Sequence, residues 1–209
     1  MTGSPARKTL RLLSHLLIQP RYVPRYVQTN LFGRTSALEV ELPWISYAAI
    51  DFLSGFVRPE MTVFEYGSGG STLYFARRCA SVISIEDNSD WFRRVRERLV
   101  QQQIHNVDLQ CRPFDFHSAV GFENSEYLNA IPNQKFDIIL VDGTEEQIQV
   151  RPTCFAYAEN FVQPGGIIIV DDAWRYLGLR DDNHAKEARV FQSVGPCRPG
   201  VTSTDIFFY

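Results

Sequence analysis

The 209-residue sequence lacks several things that would settle its class at once. Its four cysteines, Cys79, Cys111, Cys154 and Cys197, lie far apart with no CxxC pair, which excludes the usual zinc-ribbon and thioredoxin spacings. A chain of this length buries a core without disulfide staples, so reduced, mostly buried thiols are expected. No run of about 18 apolar residues occurs, so no membrane-spanning helix is expected. Internal repeats and low-complexity tracts are absent too. The formal net charge is only -3, and a nucleic-acid partner held through phosphate contacts is not expected from it.

What is present is an ordinary globular composition, 44% hydrophobic and 22% charged, enough for one domain with an appended segment. The appended part is residues 1–42, a basic N-terminal helical extension carrying Arg7, Lys8, Arg11, Arg21, Arg25 and Arg34. Within it, Arg7 to Ile18 places Leu10, Leu12, Leu13, Leu16, Leu17 and Ile18 at helical spacing, and Pro20 ends the run. Two readings stay open for this helix: packing through its leucines on the main domain or a partner, or lying on an anionic membrane surface. Ser14 and His15 interrupt the apolar stretch and no small-residue cleavage site follows, so a signal peptide is not expected. The expected location is cytoplasmic, with membrane association through residues 7–18 as the sharper alternative.

From Pro43 to Tyr209 the pattern is that of a continuous domain. Trp44–Phe56 reads as a helix, Thr62–Tyr66 as a strand, Ser71–Cys79 as a helix and Ser81–Ile85 as a second strand. Ser89–Gln102 is an amphipathic helix capped by Ser89 or Asp90, and Val107–Cys111 is a third strand. Phe136–Val141 and Gly166–Val170 are fully apolar strands separated by a helix around Arg151–Phe161. Ala185–Phe191 reads as a late helix and Asp205–Tyr209 as a closing strand. Near-continuous Ile/Val/Leu strands alternating with helices imply a parallel sheet covered on both faces.

The central signal is Val63-Phe64-Glu65-Tyr66-Gly67-Ser68-Gly69-Gly70-Ser71-Thr72, a strand running through a glycine turn into a helix. Glycine permits the tight turn and lets a ligand approach the backbone, and the helix start offers unpaired N–H groups. The acidic pair Glu86-Asp87 follows the next strand, 19 positions after Gly67, where a carboxylate would accept from ribose hydroxyls. A dinucleotide pattern G-x-G-x-x-G would need glycine where Thr72 stands.

Glu65 two residues before Gly67-Ser68-Gly69 gives the segment E-x-G-x-G, and here the chain resembles the class I S-adenosylmethionine-dependent methyltransferases. Phe136–Val141 followed by Asp142-Gly143, and Gln163-Pro164-Gly165-Gly166 before Ile167–Val170 and Asp171, resemble that family's fourth strand and its turn into the fifth. Pro43-Trp44-Ile45-Ser46-Tyr47-Ala48-Ala49-Ile50 is similar to a segment of an uncharacterised bacterial branch. The resemblance covers residues 43 to 209. It implies a Rossmann-like three-layer α/β/α sandwich, with a mostly parallel seven-stranded sheet and an antiparallel C-terminal strand.

The resemblance also implies S-adenosylmethionine as cofactor, held by Glu65, Gly67, Ser68, Gly69, Ser71, Thr72, Glu86 and Asp87. Asp115 would accept from the adenine amino group with Phe116 against the ring, although Asp115 is equally readable as a plain loop acid. The acceptor is expected to be a small molecule or glycan-like, methylated at oxygen. Asp142 and His117 are the candidate catalytic groups, His117 because imidazole titrates near neutrality. Arg151 would hold an anionic group or pair with Glu145 or Glu146, and Trp174, Arg175 and Tyr176 would wall the substrate.

No metal is assigned. Asp142, Asp171 and Asp172 suggest the alternative of a divalent-metal, catechol-type O-methyltransferase, from which the chain departs at Asp172 and at Thr144-Glu145. Two further alternatives stand: a nicotinamide-dependent oxidoreductase, disfavoured by Thr72 and Glu65, and a non-catalytic cofactor-binding scaffold.

Overall fold

A computed structural model describes residues 5–31, 36–144 and 149–209. Seven strands form one sheet: β1 Thr62–Tyr66, β2 Ser81–Glu86, β3 Val107–Cys111, β4 Phe136–Val141, β5 Val162–Val170, β6 Glu187–Val194 and β7 Val201–Phe208. Their spatial order is β3-β2-β1-β4-β5-β7-β6. β1 to β5 are mutually parallel, and β7 runs antiparallel to both of its neighbours. The expected sandwich with an antiparallel C-terminal strand is thus the observed architecture.

The described α-helices are α1 Pro5–Ile18, α2 Val23–Asn30, α3 Ala37–Val40, α4 Tyr47–Phe56, α5 Gly70–Ala76, α6 Ser89–Gln101 and α7 Val150–Ala158. Strand alternation divides the core. Phe64, Tyr66, Ile139 and Val141 face α7 and the 114–131 chain, while Val63, Ile138 and Leu140 face α4 and α5. Leu73 of α5 meets Val95 and Leu99 of α6 in a third cluster, which Leu38 of α3 closes. Every strand of the centre is therefore buried on both sides, which is what its unbroken apolar runs require.

Helix starts follow local capping chemistry. Ser46 accepts from the Ala49 N–H at 3.2 Å, so α4 begins at Tyr47 rather than at Trp44. The cap of α6 is Asn88, not Ser89 or Asp90; its Oδ1 accepts from the N–H groups of Asp90 and Trp91.

The late helix is a correction. Residues 187–194 form the edge strand β6, paired with β7 from Glu187↔Phe208 to Val194↔Val201. Glu187 and Arg189 pair at i,i+2, the same-face spacing of a strand, and the Arg189 guanidinium lies over the Phe208 ring. Hairpin pairing overrides a weak helical pattern here.

Residues 20–31 pack on the α4 side of the fold. Tyr22 and Tyr26 are buried in the α4 cluster, and the Tyr47 hydroxyl is bonded to Thr29 at 2.7 Å. None of the four cysteines is in a disulfide; Cys79 and Cys154 are buried and Cys111 and Cys197 half-buried. Among the described residues, no helix is long and apolar enough to cross a membrane.

Candidate active site

β1 pairs with β2 on one side and with β4 on the other, so the chain winds outward in opposite directions from the β1–β4 pair. At such a switch point the loops leaving the two strands diverge, and a crevice opens beyond their carboxyl ends. A cavity of about 540 Å³ lies there, lined among others by Gly67, Ser68, Glu86, Trp91, Asp142 and Arg151. That volume is in the range of small-molecule and cofactor sites.

The glycine loop is fixed by contacts on both flanks. Gly67 has φ +96, and a Cβ on it would come within 2.9 Å of the Asp142 carbonyl oxygen. Only glycine combines that backbone angle with that approach. Gly70, which the sequence reading passed over, abuts the N-terminal segment: a Cβ there would overlap the carbonyl oxygens of Ala37 and Leu42. α3 thereby becomes part of the cavity wall, contributing Ala37 beside Ser36.

Glu65 sits behind this loop rather than on the cavity wall. Its β2 register partner is Ser84, whose hydroxyl donates to Glu65 Oε2 at 2.5 Å. Thr72 donates to the same oxygen at 2.8 Å and accepts from the Gly69 N–H at 3.0 Å. The residue that breaks the dinucleotide pattern thus ties the loop to the acid. Glu65 Oε1 is buried and has no protein hydrogen-bond partner, and burial pushes the carboxyl up to about 7 against the opposing Ser84 and Thr72 hydrogen bonds.

Glu86 braces the other side of the loop. Its Oε2 accepts from the Ser68 hydroxyl at 2.6 Å and from the Ser68 N–H at 3.1 Å, and Oε1 accepts from the Asn88 N–H at 3.0 Å. Glu86 lines the cavity, and Oε1 keeps further acceptor capacity. Burial holds this carboxyl above its ordinary range, with the Ser68 hydrogen bond opposing. Asp87 accepts from the Thr144 hydroxyl at 3.1 Å, drawing the ends of β2 and β4 together. Trp91, also missed, donates from Nε1 to the Ser68 carbonyl at 2.8 Å, and its indole lies where a Cβ on Gly69 would touch it at 3.6 Å. The signal for it is its place in the first turn of the helix after the acid.

Asp142, after β4, lines the cavity and pairs with Arg151 Nη2 at 3.1 Å. Arg151 also donates to the carbonyls of Gly143 and Asp171, so it bridges the ends of β4 and β5. Its expected pairing with Glu145 or Glu146 lies outside the described residues. Burial raises the Asp142 carboxyl well above the usual range, Arg151 opposing and Asp171 adding to the rise.

Asp171 and Asp172 converge on Arg198, at 3.2 Å each, and Thr204 and Thr202 donate to them. Arg198, whose guanidinium also lies over the exposed Trp44 ring, went unnoticed because it is remote in sequence and arrives through the β6–β7 hairpin. Guanidinium groups therefore meet the carboxylates that suggested a divalent ion. Among the described residues no group of three or more His, Cys, Asp or Glu side chains is arranged to hold a metal.

Asp115, Phe116, His117, Trp174, Arg175 and Tyr176 lie outside the cavity lining. Phe116 packs in the core against Phe114, Phe122 and Tyr127. Asp115 is exposed and accepts from the His117 backbone N–H, with His117 itself exposed on the same turn. Trp174 donates to Asp172 and carries the Arg175 guanidinium over its ring, while Tyr176 is buried in the α7-side core. Ser71 lines the cavity and Thr72 lies beneath it.

No family model and no curated protein matches the chain. Solved structures do share its fold. An O-methyltransferase of tomaymycin synthesis from Streptomyces achromogenes, in complex with S-adenosylmethionine, superposes with TM-score 0.61 at 18% identity, over 91% of this chain and 98% of that one. An O-methyltransferase from Bacillus cereus, in complex with S-adenosylhomocysteine, gives TM-score 0.59 at 16% identity, over 90% and 97%. An rRNA methylase from Streptococcus thermophilus gives TM-score 0.54 at 14% identity, over 77% and 93%. The fold is the one these methyltransferases share.

Proposed function

We propose that this chain is an S-adenosylmethionine-dependent methyltransferase that methylates a hydroxyl of a small-molecule or glycan-like acceptor. The observation that carries the reading is the loop Gly67-Ser68-Gly69-Gly70, held open between Glu86 and Asp142 at the switch point of a methyltransferase fold. The residues present suit the cofactor. The glycines leave a cradle free of side chains, Glu86 offers an acceptor for ribose hydroxyls, and Glu65 holds a buried acceptor without a partner one layer behind.

When bound, S-adenosylmethionine supplies an electrophilic methyl group on a sulfonium. The protein's own work is alignment and proton management. Gly67, Ser68 and Gly69 shape the bed through Thr72 and Glu65, and Trp91 closes its side. Asp142 is the general base: it lines the cavity, and its raised affinity for a proton suits it to take one from an acceptor hydroxyl near neutral pH. Arg151 acts as a positioning residue that holds Asp142 against the β4 end. The carboxylates of Glu86, Asp87 and Asp142 in the lining disfavour a phosphate-rich acceptor.

The test is transfer of a labelled methyl group from S-adenosylmethionine to a panel of hydroxylated aromatics, sugars and RNA, comparing wild type with Asp142→Asn. Transfer to the hydroxylated small molecules that drops at least a hundredfold in Asp142→Asn, with cofactor affinity kept, supports the reading. Transfer to RNA alone, or a fully active Asp142→Asn, overturns the acceptor or the base. A thermal shift with NAD and none with S-adenosylmethionine would overturn the cofactor.

A further inference from the structure

Charge along this chain is segregated. Six of the 21 basic residues, and none of the 24 acidic ones, precede Glu39, so a strongly negative remainder follows a purely basic N-terminal segment. Within that segment α1 has two apolar sides. Leu12 and Leu16 pack on the α4-side core, and the Gln19 side chain donates to the Gln192 carbonyl on β6 at 3.2 Å, which fixes the helix against the sheet edge. The other side is left to solvent: Leu10 is 69%, Leu13 53%, Leu17 81% and Ile18 75% exposed.

Ala6, Leu10, Leu13 and Leu17 recur at i, i+4, i+7 and i+11, one continuous stripe along the docked helix. Arg7 lies nearest this stripe on the helix, and the exposed Lys8 and Arg21 and the half-buried Arg11 belong to the same segment. Packing already accounts for the inner leucines, so the outer stripe needs another explanation. A second copy meeting it about a two-fold axis would bring the same purely basic segment against itself, with no carboxylate before Glu39 to offset it. A surface that is negatively charged and admits leucine side chains answers both features.

We infer that α1 docks the protein peripherally on an anionic lipid bilayer, its outer leucines entering the headgroup boundary and the basic charge of the segment drawing it to the lipid phosphates. This does not rest on the reading of the cavity. Docking of this kind is reversible and salt-dependent, because neither a short leucine stripe nor a few cations alone anchors a protein.

The experiment is flotation of the full chain with vesicles of phosphatidylcholine alone and of phosphatidylcholine mixed with phosphatidylserine, at low and high salt. Flotation with the mixed vesicles only, reversed by salt, is expected. Leu13→Asp with Leu17→Asp should abolish it while leaving the melting temperature unchanged, since both side chains are exposed. Removing Arg7, Lys8 and Arg11 together should weaken partitioning by roughly ten- to a hundredfold. No flotation of wild type with anionic vesicles, or flotation insensitive to salt and to both sets of substitutions, overturns the inference. A dimer in sedimentation velocity that Leu13→Asp with Leu17→Asp dissolves, without any vesicle binding, assigns the stripe to a second copy and overturns it too.

Discussion

Glu65→Gln isolates the cost of placing a carboxyl inside the sheet behind a ligand loop. Glu65 is fully buried, and its proton is held up to about 7 against an ordinary 4.5. The folded state therefore binds that proton more tightly than the unfolded chain. Below about 4.5 both states are protonated and no penalty exists; as pH rises the unfolded chain releases the proton first, and stability falls until the folded carboxyl has ionised too. The full penalty is about 3 kcal/mol above neutrality, of which roughly 2.5 kcal/mol develops between pH ~5 and pH ~8. Glutamine keeps an acceptor for Ser84 and Thr72 but cannot ionise. It leaves an amide in place of Oε1, a cost on the order of 1–3 kcal/mol that does not vary with pH. Melting wild type and Glu65→Gln across that pH range, without ligand, should show the difference moving in favour of glutamine by roughly 5–10 °C for a domain of this size. A difference that stays flat with pH would refute the buried-carboxyl argument.

Other substitutions test the remaining supports. Gly70→Ala should destabilise by about 1–3 kcal/mol in denaturant melts and weaken cofactor binding, because the new methyl drives α3 away from the loop. Arg198→Met should cost about 3–5 kcal/mol, since Asp171 and Asp172 would keep buried charge without their partner; a change under 1 kcal/mol would show that the pair carries none of the local stability. The pH–rate profile should rise with an apparent pKa above the usual carboxylate range and lose that limb in Asp142→Asn, because burial raises Asp142 and only its ionised form accepts a proton.

Much of this architecture was legible from local pattern. The apolar runs of β1, β4 and β5 and the glycine turn declare themselves because each is dictated by a few neighbouring residues. Glu65 and Glu86 were also readable, one from the E-x-G-x-G spacing and one from its distance beyond Gly67. The sequence could not reveal that Glu65 works through Thr72 and Ser84, since that depends on the β1–β2 register. Arg198 was out of reach for a similar reason: it meets Asp171 and Asp172 only after the hairpin folds back beside β5. The same hairpin hid β6, whose short alternation gains its meaning from β7. Phe116, expected from the resemblance to stack on adenine, and Tyr176, which follows β5, pack in the core, because their bulk and apolarity favour burial there.

The central claim is that the crevice between Gly67, Glu86 and Asp142 holds S-adenosylmethionine. Titration calorimetry with S-adenosylhomocysteine, on wild type, Gly67→Val and Glu86→Ala, measures it directly. The account predicts one site of micromolar affinity in wild type, lost in Gly67→Val, where the side chain meets the Asp142 backbone, and weakened at least tenfold in Glu86→Ala. No heat from the folded wild-type protein, or undiminished binding by both variants, would contradict it.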